Sequence, residues 1–344
     1  MKAVRIHEHG GIDVLMWEEI KFQECPDDKV RVKIKAAALN HLDIWIRKGF
    51  DGISLPMPLI MGSDGAGIIT EVGRKVTNLK TGDEVVIQPN TFCGRCSACQ
   101  NGKENFCQTY GILGETENGT QANEVILYPK NIHPKPKHLS FEAAASMQLV
   151  FITAYQMLVR RAKLTAGEYV LIYGATSGVG SAAIQIAKYL NAKVITTVGS
   201  NDKIPHAEKM GADFSVNHND SNWVKNVKSI TEGNGINVVF EHVGAATWSS
   251  SLRLLARGGR IVTCGATTGP KVNIDLRHLF MKQQSILGST MSDINTFNTV
   301  MRLIDQKVFF PFIDKVFPFE SIRDAHSRIE DRCQYGKIVL SDNG

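Results

Sequence analysis

The rhythm of hydrophobic and polar positions changes once along the chain, near residue 141. Before that point, short runs alternate with a period of two and are broken by Gly, Pro and Asp. Val30–Lys35, Gly67–Val72 and Glu84–Pro89 read as strands, with turns such as Gly82-Asp83 between them. The opening residues, Met1 to His9, alternate in the same way. This texture predicts an all-β, partly barrel-like lobe. Beyond it, Phe141–Arg161 carries helix formers with few breakers. Strand-like Tyr169–Tyr173, helix-like Val179–Leu190, strand-like Lys193–Val198 and helix-like Lys203–Met210 follow. The alternation continues through Val238–Glu241, Trp248–Leu255 and Arg260–Cys264. Strands separated by helices of about 10–15 residues imply βαβ units and a parallel sheet. The tail from Asn295 reads as a helix, two short strands, a helix at Ser321–Arg332 and a strand at Lys337–Leu340. It is expected to fold back onto the first lobe, giving one domain from 1–150 with 291–344 and another from 151–290.

A chain of 344 residues supports two domains with full cores. Apolar residues make up 43% and charged residues 21%, an ordinary globular balance. The net charge of +5 is spread out. It suits an anionic ligand such as a dinucleotide and gives no basic stripe for nucleic acid. No apolar stretch approaches a membrane span, and the first residues lack a signal-peptide core. A cytoplasmic location is expected.

Four of the seven cysteines, Cys93, Cys96, Cys99 and Cys107, fall within fifteen residues. The spacing CxxCxxCx7C lets four thiolates converge on one zinc in a closed tetrahedral shell. Such a shell has no open position for substrate, so the metal is expected to hold a loop and to do no chemistry. Two disulfides in an oxidising compartment are the alternative, which the missing secretory signal opposes. Cys25, Cys264 and Cys333 stand far apart.

After the strand Tyr169–Tyr173 comes Gly174-Ala175-Thr176-Ser177-Gly178-Val179-Gly180, then small residues at Ser181, Ala182 and Ala183. A turn of this kind brings backbone N–H groups and a helix N-terminus close to a pyrophosphate. The match to GxGxxG is imperfect, and a glycine-containing turn without ligand is the plainer reading. Its place between strand and helix favours the dinucleotide. The next strand ends at Val198 and is followed by Gly199 and Ser200, where an NAD site usually carries an acid. Ser200 can donate to a 2′-phosphate and Lys203 can neutralise it, which favours NADPH. Asp202 competes as a ribose ligand but is expected to cap the following helix.

The chain resembles the medium-chain dehydrogenase/reductase superfamily over nearly its whole length. The residues that carry the likeness are Ala38-Leu-Asn-His-Leu-Asp43, Gly62-Ser-Asp-Gly-Ala-Gly67, the four-cysteine lobe, the Ala175-to-Gly180 turn and Gly336-Lys-Ile-Val-Leu340. The resemblance implies an α/β chain built from a GroES-like β domain and a Rossmann doubly wound parallel-sheet domain, with the active site in the cleft between them. It assigns 1–150 with 291–344 to the GroES-like catalytic domain. The family's catalytic zinc ligands fall on Asn40, on Ser63 with Asp64, and near Leu149. Leu cannot ligate, and the neutral Asn and Ser oxygens bind zinc poorly. His41 and Asp64 remain as improvised ligands, although His41 matches a basic position near the cofactor pyrophosphate.

Without that Lewis acid, negative charge developing on the substrate must be delocalised or held by hydrogen bonds. Quinones and α,β-unsaturated carbonyls delocalise it. The resemblance therefore implies an NADPH-dependent reductase of an activated C=C bond (an enone or an acryloyl or enoyl thioester) or of a quinone, with one structural zinc. It places Asn40, Asp43 and Trp45 at the reaction centre. Asp43 orients the loop; Trp45 stands where relatives place a Tyr and cannot serve as an acid, which leaves water as proton donor. The cofactor set is His41, Thr153, Thr176, Ser177, Gly178, Val179, Gly180, Ser200, Lys203, Gly265, Ala266, Gly288 and Lys337, the last reaching cofactor phosphates. Thr153 and Tyr155 pack behind the nicotinamide. The alternative is a zinc-type alcohol dehydrogenase with an atypical metal site; an NADPH-binding crystallin-like or RNA-binding protein ranks below both. A small-molecule substrate and a homodimer or homotetramer are expected.

Overall fold

The computed structural model describes residues 1–49 and 54–342. The chain divides into two compact units, residues 1–150 with 293–344 and residues 151–292. The first unit opens with β1 (Lys2–Ile6), β2 (Met16–Glu19), β3 (Val30–Ala38), α1 (His41–Lys48), β4 (Leu59–Ile60), β5 (Asp64–Val72) and β6 (Glu84–Ile87). β7 (Asn90–Thr91), α2 (Ser97–Gln100), β8 (Gly111–Ile112), β9 (Glu124–Leu127), β10 (Ile132–Pro134) and α3 (Phe141–Ala145) follow. Within α4 (Gln148–Tyr155) the chain passes into the second unit.

That unit contains β11 (Tyr169–Ile172), α5 (Gly178–Tyr189), β12 (Lys193–Val198), α6 (Ile204–Lys209), β13 (Phe214–Asn217) and α7 (Trp223–Ile230). It closes with β14 (Ile236–Glu241), α8 (Ala245–Leu254), β15 (Leu255–Thr263), α9 (Leu276–Met281) and β16 (Ser285–Gly288). The chain then returns to the first unit with α10 (Ile294–Asp305), β17 (Ile313–Phe317), α11 (Ile322–Glu330) and β18 (Lys337–Ser341).

In the first unit the main sheet runs β10-β6-β5-β3-β18-β17, with β9 also paired to β3. β3 is its spine. Val30, Val32 and Ile34 enter one apolar cluster, while Ala36 and Ala38 join another with Ala144 and Ala145 of α3. The small alanines leave room for that helix to lie against the strand. β18 pairs antiparallel with β3, Val339 opposite Ala38, so the last strand of the chain completes a sheet begun at residue 30.

The second unit is a six-stranded parallel sheet in the order β13-β12-β11-β14-β15-β16. The order reverses between β11 and β14, the topological switch point at which doubly wound sheets bind ligands beyond their strand ends. Val170, Leu171 and Ile172 of β11 are all buried, as a strand covered on both faces requires. No described helix is long and apolar enough to cross a membrane.

Some local expectations change. The helix expected over Phe141–Arg161 is divided into α3, α4 and a π-helical turn at Gln156–Arg161. The tail has one strand before α11, β17, where two were expected. β13, α7 and α9, of four, eight and six residues, are not anticipated because such short elements carry little local signal.

Gly67 allows β3 and β5 to approach, since a Cβ there would lie 2.2 Å from the Lys33 carbonyl oxygen. Backbone cannot yield as a side-chain tip can. Gly67→Val is expected to destabilise the protein by about 2 kcal/mol or more in urea unfolding; an unchanged midpoint would contradict the fit.

Candidate functional site

Three neighbouring strands of the first unit bring together residues distant in sequence. Asp64 begins β5, opposite Ala38 of β3. On the other side of β3, the Leu39 N–H donates to the Ile338 carbonyl, which sets Lys337 beside Asn40. The Lys337 ammonium donates to Asn40 Oδ1 at 2.5 Å and to Asp64 Oδ2 at 3.0 Å. Asn40 Nδ2 donates to the same carboxylate oxygen at 3.0 Å, and the Leu149 N–H donates to Asp64 Oδ1 at 2.9 Å. All of Asn40, Asp64 and Lys337 are buried. The positions the resemblance marks as lost metal ligands are thus joined by hydrogen bonds around a lysine. Both Asp64 oxygens are engaged, which leaves it a poor improvised ligand. Lys337, expected at the cofactor phosphates, is instead 4% exposed and bonded inside the first unit. No sequence signal shows this, because Lys337 and Asp64 stand 273 residues apart and only β-sheet register brings them near.

Asn40 also opens α1, where its backbone N–H donates to Asp43 Oδ2 at 2.7 Å in a capping box. Asp43 is fully buried, and its Oδ1 has no hydrogen-bond partner among the described residues. Two residues on, Trp45 is half-buried and meets exposed His41 edge to face, with ring centroids 5.1 Å apart. The three residues expected at a reaction centre lie on one short helix, Asn40 as its cap and Asp43 and Trp45 at its third and fifth positions.

In the second unit the Gly174-to-Gly180 turn joins β11 to α5. Gly174 takes φ +67°, and a Cβ on Gly180 would come within 2.2 Å of the Gly174 carbonyl. Ser177 caps α5: its Oγ accepts the Gly180 N–H at 3.0 Å and donates to Gly174 O at 2.8 Å. No acidic residue lies in the first turn of α5, so the positive end of the helix is left uncompensated for an anion. Thr176, Gly178 and Val179 line this half-buried turn. Gly199 and Ser200 follow β12, and Lys203 closes a 3-10 turn. The cap expected from Asp202 is not formed; Lys203 precedes α6, and no side chain caps that helix. Gly265 and Ala266 lie just past β15 and Gly288 ends β16, whose Gly288 pairs with Thr263. Thr153 is buried in α4, its hydroxyl 4.0 Å from Met291 Sδ. Sequence reasoning missed Glu241, a buried carboxylate at the end of β14 that accepts from Val243 N, Gly244 N, Thr247 Oγ1 and Ser251 Oγ and so shapes the turn into α8.

Among the described residues, Cys93, Cys96, Cys99 and Cys107 form the one grouping of three or more Cys, His, Asp or Glu side chains able to share an ion. Their sulfurs lie within 4.8 Å of one another, with neighbours at 3.5, 3.6 and 3.9 Å. Tetrahedral bonds of about 2.3 Å from zinc to sulfur require sulfurs about 3.8 Å apart, so the four thiols fit that ion. Amide N–H groups of Arg95 and Cys96 already point at Cys93 Sγ, at 3.4 and 3.3 Å. Glu104 anchors the lobe by accepting the Ile294 N–H at the start of α10.

Residues 26–137 match the alcohol dehydrogenase GroES-like domain, and residues 178–306 match the zinc-binding dehydrogenase family. The crotonyl-CoA carboxylase/reductase of Cereibacter sphaeroides is 33% identical over 361 residues, spanning 95% of this chain and 83% of that protein. A quinone oxidoreductase of Mus musculus is 30% identical, spanning 99% of this chain and 97% of its own. A solved structure described as an NAD-dependent alcohol dehydrogenase superposes with TM-score 0.95 at 42% identity, covering 99% of both chains.

Burial pushes the Asp43 carboxyl up to about 7, against the Asn40 N–H and the Lys337 charge, while nearby Asp64 raises it further. The folded state then holds a proton that the unfolded chain releases near 3.8. This contribution to stability is complete below about pH 4 and lost as pH rises through about 7. Asp43→Asn keeps an acceptor for the cap and removes the titration. The stability difference, wild type minus variant, should fall across that window by at most about 1.4 kcal/mol per pH unit. A difference independent of pH would refute the assignment.

Proposed function

Because this chain belongs to the medium-chain dehydrogenase/reductase superfamily and is an oxidoreductase, we propose that it is an NADPH-dependent reductase of activated C=C bonds or quinones that works without a catalytic metal. The observation that carries this reading is the Lys337–Asn40–Asp64 knot. Asn40 and Leu149 offer no anionic or imidazole ligand, and the Asp64 carboxylate is already bonded to an ammonium, an amide and a backbone N–H. A substrate that carries its own charge-delocalising system suits such a site better than a simple alcohol.

A bound nicotinamide would supply the hydride for addition at the β-carbon of an unsaturated substrate. The C=C electron pair shifts toward the carbonyl, and the resulting enolate takes a proton from water at its α-carbon. Asn40 holds the carbonyl oxygen, Trp45 offers a flat apolar face, and Asp43 fixes the helix start that carries both. A quinone accepts the same hydride and one proton to become a hydroquinone.

The uncompensated α5 N-terminus and the Gly174–Gly180 cradle fit a pyrophosphate. Ser200 and Lys203, with no acid at the end of β12, support NADPH. The four thiols would hold one zinc that shapes the lobe. A second reading, an NAD-dependent alcohol dehydrogenase with a rebuilt metal site, is favoured by the 42% identical neighbour of that description. The exposed edge strand β16, with Leu276, Phe280 and Met281 exposed on the preceding α9, supports a homodimer or homotetramer.

An NADPH-oxidation screen across acryloyl-CoA, crotonyl-CoA, simple enones, quinones and aldehydes is expected to give turnover with the conjugated compounds. Oxidation of simple alcohols that is lost on chelation would establish the second reading instead. Metal analysis should return about one zinc per chain, as one closed four-thiolate site requires; two would overturn the metal-free mechanism. Ser200→Glu should raise the KM for NADPH about tenfold or more, the worth of one hydrogen bond to a charged group, without a matching rise for NADH.

A further inference from the structure

We propose that Lys337 is a positioning residue that orients and polarises the Asn40 amide, so that Asn40 Nδ2 donates its remaining hydrogen to the substrate's carbonyl oxygen. This deepens the reading given above and rests on it. The argument begins with donor and acceptor inventory. An ammonium has only donors and a carboxylate only acceptors, so an amide held between them has a single orientation. Asn40 must turn Oδ1 to Lys337 and Nδ2 to Asp64, as the distances of 2.5 and 3.0 Å record.

One Nδ2 hydrogen is used by Asp64, and the other is left for a further acceptor. Neither the Asn40 main chain nor Asp64 can swing away, because the Asn40 N–H is held by Asp43 Oδ2 and Asp64 Oδ1 by the Leu149 N–H. With Lys337, Asp64 and Asn40 all buried, water screens the ammonium little, and its field draws electron density from the amide oxygen. The amide N–H becomes a stronger donor as a result.

During hydride addition to a conjugated system, negative charge moves to the carbonyl oxygen, which an oriented donor stabilises more than it stabilises the ground state. Lys337 touches neither substrate nor reacting atom in this scheme. Its charge acts one bond network away, at positions where the resemblance places a metal. Lys337 and Asp64 form an ion pair at 3.0 Å, so the pair itself is neutral. A positive end is thus presented through the amide without a net charge on the pair.

The test is steady-state kinetics of the full chain with NADPH and whichever enone or quinone it reduces. Asn40→Ala and Lys337→Met should each lower kcat by about 10²-fold, the effect of removing one oxyanion donor, while the KM for NADPH changes less than about threefold. The double variant should be no slower than the worse single one, since both remove the same interaction. Lys337→Arg should recover part of the loss.

Lys337→Met leaves a buried carboxylate unpaired, so Lys337→Met/Asp64→Asn serves as the variant that removes both charges, with thermal melting to verify that it folds. Retained kcat in that folded variant would overturn the proposal. So would multiplicative losses in the double variant, or a Lys337 effect confined to the KM for NADPH, which would mean contact with cofactor phosphates. The two failures separate. Absence of NADPH oxidation by the unaltered chain with any enone or quinone removes the reading beneath the proposal; turnover that survives loss of the ammonium removes the proposal alone.

Discussion

The antiparallel pairing of β18 with β3 is the contact on which the rest of the first unit depends. It inserts the last strand of the chain into the middle of a sheet, between β3 and β17. The same register that satisfies the backbone carries Lys337 to Asn40, and the pairing of β5 on the far side of β3 brings Asp64 to both. A buried ammonium is tolerated there because it finds a carboxylate and an amide oxygen at bonding distance. Sheet register and site chemistry are therefore one constraint in this protein.

The second unit obeys a simpler rule. All six strands run parallel, so their carboxyl ends lie along one edge, and the βα turns that follow them supply glycines, a capping serine and helix N-termini there. Close approach of backbone to backbone explains Gly180 without reference to any ligand. The anion preference comes separately, from the helix end and from the lack of an acid in the first turn of α5.

Legibility in the sequence followed the range of the interactions. β3, β5, β6, β11, β12 and α5 were readable because their periodicity is local and strong. The CxxCxxCx7C spacing was readable because metal geometry acts over a few residues. β13 and α7 were not, since their short amphipathic runs are decided by what they pack against. The break of the Phe141–Arg161 helix into two helices and a π-helical turn has no Gly or Pro to announce it. Asp202 looked like a cap by residue type, but a 3-10 turn carries the chain past it. By analogy of position Lys337 reads as a cofactor residue, but its partners are fixed by strand register across about three hundred residues, which no local pattern reveals.

The discontinuous first unit has a consequence for synthesis. As the chain emerges, residues 151–292 possess all six strands of their sheet before β18 exists. The unit encoded first must then wait for the unit encoded second. Until β18 arrives, β3 presents an open edge beside β9 and β5, and Asp64 lies without its lysine. The order of completion is thus the reverse of the order of translation for most of the chain, and the interval between them is the time when the open edge of β3 is exposed to mispairing.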